Sequence, residues 1–174
     1  MEFSINKSIE ILERTPHVLI QLMNHLSADW TMNNEGGETW SVFDVIGHLI
    51  HGEKTDWMVR IEIILSERAN KEFEPFDRFA QLDESKGKSL EQLLNEFLAV
   101  RELNIKKLKG LNLTENDFTK TGIHPAFGAV TVLQLIAAWT VHDLNHMSQI
   151  SRVMAKQYKE LSGPWIEYMK ILNQ

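Results

Sequence analysis

The chain has 174 residues, of which 43% are hydrophobic and 24% charged, with no cysteine and a formal net charge of −6. This size and apolar fraction suit one globular domain over residues 1–174 with a sizeable core, and the lack of cysteine excludes a disulfide framework or a thiolate metal site. Nucleic acid is an unfavourable partner because Lys and Arg are not clustered. No run approaches the roughly 20 apolar residues that span a bilayer, and the first seven residues lack a basic-then-apolar leader, so a soluble cytoplasmic protein is expected.

In chain order, a first helix is predicted from about Ser4 to Ala28, with Ile5, Ile9, Leu12, Leu19, Met23 and Leu26 on one stripe. Pro16 falls on that stripe and is expected to kink the helix. A polar loop containing Asn33, Asn34, Gly36 and Gly37 follows. Ser41 with Asp44 three residues on forms a capping-box variant and opens a second helix to about Arg68, with Gly47 and Gly52 its weak points. Ser89 and Gln92 cap a third helix that ends at Gly110 and buries Leu90, Leu94, Phe97, Ile105 and Leu108. Thr131 and Gln134 cap a fourth, free of Gly and Pro until Gly163. A short helix after Pro164, carrying Trp165, Met169 and Leu172, is expected to close one end. Strand signals are nearly absent, so the fold class is an all-α four-helix bundle. Its connections at about 69–88 and 111–130 are long enough to cross the bundle or line a site.

Three histidines stand where these stripes call for hydrophobes. The fourth helix reads Val132, Leu135, Trp139, His142, His146, Gln149, Val153 on its inward face, and the second reads Val45, His48, Gly52, Thr55, Val59. Burying an imidazole without a partner costs about 1–3 kcal/mol, so such intrusions need compensation, and a divalent metal supplies it. The pair alone is weak evidence, because random placement of 7 histidines gives roughly 0.3 pairs at this spacing. The bland alternative is three core histidines, each with its own hydrogen-bond partner. His51, three residues after His48, is the alternative ligand from the second helix, and Gly52 leaves room for a substrate. A di-iron centre is disfavoured, because no Glu stands three residues before any histidine. Asp44 is either a partner for His48 or an ordinary helix-start charge, while Glu53, Asp56 and Arg60 either reach a pocket mouth or form a solvated face.

The segments Trp40-Ser41-Val42-Phe43-Asp44-Val45-Ile46-Gly47-His48-Leu49 with Glu53, and Ala138-Trp139-Thr140-Val141-His142-Asp143-Leu144-Asn145-His146 with Gln149-Ile150, closely resemble the two signature regions of the DinB-like superfamily, which includes YfiT-like metal-dependent enzymes. The resemblance covers essentially the whole chain. It implies a four-helix bundle binding a divalent metal, such as Zn, Ni or Fe, through His48, His142 and His146, commonly as a homodimer. It assigns no ligand role to His51 or His124, the latter in a loop that overhangs the site or simply lies at the surface. It also implies transfer of a low-molecular-weight thiol to an electrophilic small-molecule substrate. A metal-dependent hydrolase and a non-catalytic metal- or ligand-binding stress protein are the other expectations. Glu53 and His51 are the candidate catalytic groups, Glu53 as a general base in the hydrolytic case.

Overall fold

The computed structural model describes residues 2–173, leaving Met1 and Gln174 outside. It bears out the four-helix bundle. Helix α1 spans Ile5–Met23, and a single turn, α2, spans Ala28–Met32 within the expected polar loop. The second arm is two helices, α3 over Val42–Thr55 and α4 over Trp57–Leu65. Helix α5 spans Ala80–Glu84, α6 Leu90–Gly110, α7 Glu115–Thr119 and α8 Val132–Lys156. In the bundle α6 packs between α1 and α3, and α8 packs against α1, α3 and α4. Capping boxes at Ser41/Asp44, Ser89/Gln92 and Thr131/Gln134 start α3, α6 and α8 at the expected places. No helix among the described residues is long and apolar enough to cross a membrane.

The second arm departs from the single helix expected. Its backbone breaks at Asp56, at φ −114 and ψ −81, just after the Thr55 hydroxyl donates to the His51 carbonyl at 2.8 Å. Such a back-bond competes with the helix ladder and bends it. The inward face therefore turns after Gly52. Thr55 and Val59 point outward, while Asp56, Trp57, Met58, Arg60 and Ile61 are buried.

Two further corrections concern the connections. Residues expected to be loop form an antiparallel hairpin, β1 Thr121–His124 and β2 Gly128–Thr131. Ile123 exchanges backbone bonds with Lys71 and Phe73, tying the hairpin to the other long connection. At the C-terminus the expected helix is two 3₁₀ segments, Glu160–Tyr168 and Lys170–Leu172; of Trp165, Met169 and Leu172 only Leu172 is buried.

The core is two apolar clusters. One gathers Ile9, Leu12, Trp57, Ile61, Ile105 and Trp139, and the other Leu19, Val45, Leu49, Leu93, Phe97 and Ile150. Along α3, α6 and α8 the positions between these clusters are polar: Glu53, Arg101, Asn104, Asp143 and His146, all buried. Arg101 is the hub. It donates to both oxygens of Asp143 at 2.6 and 3.0 Å and to Glu53 Oε1 at 2.8 Å. Asn104 donates to Glu53 Oε2 at 2.9 Å, and Trp139 shares Oε1 with Arg101 at 2.8 Å. Arg101 also donates to the Leu12 carbonyl at 2.7 Å. Pro16, one turn on, has no N–H to offer that carbonyl, so the guanidinium satisfies the acceptor and α1 runs on through Pro16.

Candidate metal centre

Helices α3 and α8 bring three imidazoles to one point. His142 Nε2 lies 3.1 Å from His48 Nε2 and 3.0 Å from His146 Nε2, and one ring nitrogen from each falls within a 4.8 Å cluster. His142 Nε2 offers either one N–H or one lone pair, so it can make at most one good hydrogen bond and one of the two close contacts is left without one. Burial adds a second demand. It lowers His48 to about 3, with repulsion from His146 next in size. Burial lowers His142 to about 2, again followed by His146. His146 is also lowered by burial, against the opposing hydrogen bond of Gln149 and charge of Asp143. Three neutral imidazoles with converging lone pairs are a cation-binding set.

The spacing fits an ion. A tetrahedral centre about 2.0–2.1 Å from each nitrogen places neighbouring nitrogens roughly 3.3 Å apart, a few tenths of an ångström wider than the 3.0 and 3.1 Å seen here. Gln149 Oε1 lies 2.7 Å from His146 Nδ1 and, by accepting its proton, leaves Nε2 unprotonated. His48 Nδ1 and His142 Nδ1 are buried without a hydrogen-bond partner among the described residues. The rings are fixed instead by Trp40 and Phe76 around His48, at 4.9 and 5.5 Å, and by Trp57 against His142 at 5.1 Å. Next to this set, one Arg101 cation meets two buried carboxylates, Glu53 and Asp143. That formal excess of one negative charge adjoins a place suited to a positive ion.

Two cavities reach the cluster. One, about 410 Å³, is bounded by His48 and His142, walled by Trp57, Phe76 and Leu135, and contains Asp56 and Arg60. The other, about 310 Å³, is bounded by His146 and Gln149 with Trp40, Arg78, Arg152 and Glu35. A larger groove of about 620 Å³ between α1 and α6 is lined by neither these histidines nor the cavities' aromatic walls.

The other expected site residues are placed differently. His51 is buried with its Nδ1 3.1 Å from Glu84 Oε1 and stands outside the three-nitrogen cluster. Glu53 is 2% exposed and held by Arg101, Asn104 and Trp139, so it is part of the bundle's interior and lines neither cavity. Asp56 and Arg60 form a buried pair, not a solvated face. Asp44 accepts from the Ser41 backbone and hydroxyl at 2.9 and 2.7 Å, so it is the helix cap and not a partner of His48. His124 overhangs the larger site cavity, stacked on Phe127 at 4.3 Å. A Cβ at Gly52 would meet only Trp57 Nε1, at 3.4 Å. Arg101 and Asn104 escaped notice in the sequence, although Arg101 interrupts the α6 stripe between Phe97 and Leu108 just as the histidines interrupt theirs.

The bundle and its cluster define a helical protein with an open three-histidine site. The chain belongs to the DinB superfamily, whose family model matches residues 11–150. Among solved structures it is similar to YfiT from Bacillus subtilis, described as a probable metal-dependent hydrolase with an unusual four-helix bundle topology; identity is 18%, 90% of each chain is covered and the TM-score is 0.75. No curated protein matches.

Proposed function

We propose that the protein is a metal-dependent enzyme that transfers a low-molecular-weight thiol to an electrophilic small molecule. His48, His142 and His146 hold one divalent ion; three imidazoles accept Zn, Ni or Fe. Bound there, a divalent ion would supply Lewis acidity that favours the thiolate form of a thiol near neutral pH. The supporting observation is that separate cavities border the three-histidine cluster, a polar one at His146 and an apolar one at His48 and His142. That arrangement suits two chemically different substrates. Gln149 orients His146, and Trp40, Trp57 and Phe76 keep bulk water from the histidine rings. A homodimer and a cytoplasmic setting belong to the same reading, the first checked by light scattering of the purified protein.

A hydrolytic reading is favoured by one observation in the apolar cavity and by the description of YfiT. Asp56 lies there with its carboxyl raised by burial, against the pull of Arg60, which makes it a stronger proton acceptor than an ordinary aspartate. Asp56 replaces Glu53 as the base in this case. Screening metal-loaded protein against a model electrophile with a thiol panel, and against an activated ester without thiol, separates the two. Thiol-dependent loss of the electrophile supports transfer, and ester turnover alone supports hydrolysis.

A further inference from the structure

We infer that the cavity beside His48 and His142 selects an apolar compound ending in a neutral amide, and that the Asp56–Arg60 pair reads this end. The inference takes from the proposed function only where the reacting atom would sit. The wall is mostly apolar, formed by Trp57, Phe76, Val130, Leu135 and Ala138, with His124 and Gln134 as further polar lining. Within it sits one acid–base pair. Arg60 Nε lies 2.5 Å from Asp56 Oδ1, with side-chain exposures of 7% and 12%. That contact is an ion pair without hydrogen-bond geometry, since Oδ1 is buried and accepts no hydrogen bond. Arg60 otherwise makes one long bond, Nη2 to the Glu74 carbonyl at 3.4 Å, and rests on the Phe73 ring at 5.2 Å. The described residues make no hydrogen bond to Asp56 Oδ2 or Arg60 Nη1, and both residues line the cavity.

The pair therefore offers an acceptor and a donor side by side in a mostly apolar space. A primary amide presents the complementary donor and acceptor in one plane. A carboxylate would meet the Asp56 charge, and an ammonium would meet Arg60, each with little water to screen it. A purely apolar end would leave both groups unpaired. Trp57 ties the two ends of the cavity together, because it follows Asp56 directly and its ring touches His142.

Calorimetry with benzamide, benzoate and benzylammonium, three probes of nearly equal size, tests this on the whole protein. Benzamide is expected to bind about tenfold or more tighter than either ion. Asp56→Asn should shift the preference to benzoate, and Arg60→Met should shift it to benzylammonium. Equal binding of the three probes, tightest binding of an ion to the unaltered protein, or no binding overturns the inference, and these outcomes need no variant to fold. Metal content measured on the same sample reports on the histidines separately. An amide preference without metal uptake would sink the proposed function and leave this inference standing, and metal uptake without the preference would do the reverse.

Discussion

Arg101 and Asp143 meet through two parallel hydrogen bonds of 2.6 and 3.0 Å, both side chains essentially without solvent exposure. Asp143 directly follows His142 in α8, so the bidentate pair fixes the helix that carries two of the three clustered histidines. Glu53 on α3 shares the same guanidinium, which ties the third histidine's helix into the layer.

Arg101→Met should be strongly destabilising. It leaves Glu53 and Asp143 as buried carboxylates without a cation and removes the donor to the Leu12 carbonyl, and breaking a buried pair from one side costs about 3–5 kcal/mol. Urea denaturation is the measurement; a loss below about 1 kcal/mol would show that the layer is solvated. Arg101→Lys should fall between, since it keeps the charge and loses the fork.

Removing two of the three ligands should abolish tight metal uptake. Elemental analysis of untagged protein is expected to show about one divalent ion per chain, lost in the doubly substituted His48→Ala, His142→Ala protein and retained in His51→Ala. Saturating ion should also raise the melting temperature, because it binds the folded state alone. Unchanged metal content in the double variant would remove the three-histidine site from consideration.

Glu35 predicts part of the acid limb of stability. Bonds from Arg152 and then the Lys156 contact outweigh burial and hold its carboxyl near 2, below its ordinary 4.5. A depressed carboxyl stabilises the fold above its unfolded pKa and loses that contribution as pH falls through the folded one. Wild-type protein should therefore lose more stability than Glu35→Gln between about pH 4.5 and 2. Denaturant midpoints measured across that range check the difference, and parallel curves would contradict it.

Gly47 permits α5 to lie directly on α3. A Cβ there would overlap Ser85 Oγ and sit 2.6 Å from Gln81 Oε1, and Gln81 is fully buried, so any shift must displace its packed neighbours. Gly47→Ala should cost about 1–3 kcal/mol. Adding Gln81→Ala and Ser85→Gly should return part of that loss, whereas additivity of the substitutions would indicate no shared contact.

Much of the site was legible because its signal is local. His48, His142 and His146 each interrupt an apolar stripe, and the caps at Ser41 and Thr131 set the phase of the two helices that bring them together. Arg101 carried the same kind of signal, but a long basic side chain on an inward stripe is readily taken for one that snorkels to solvent. Glu53 was misjudged for a related reason. Its acidity suggested a cavity base, and only the facing helix shows that Arg101, Asn104 and Trp139 occupy its oxygens.

By itself the sequence determined the starts of α1, α3, α6 and α8 and the inward placement of three imidazoles, since i, i+3 and i+4 spacing and side-chain caps act within a few residues. Tertiary structure alone decided the turn of the second arm at Asp56, the hairpin over the cavity, the Arg101 layer and the two openings at the histidines. These depend on contacts between residues far apart in the chain, such as Arg101 with Leu12 and His48 with His142. Their geometry exists only once the helices have packed.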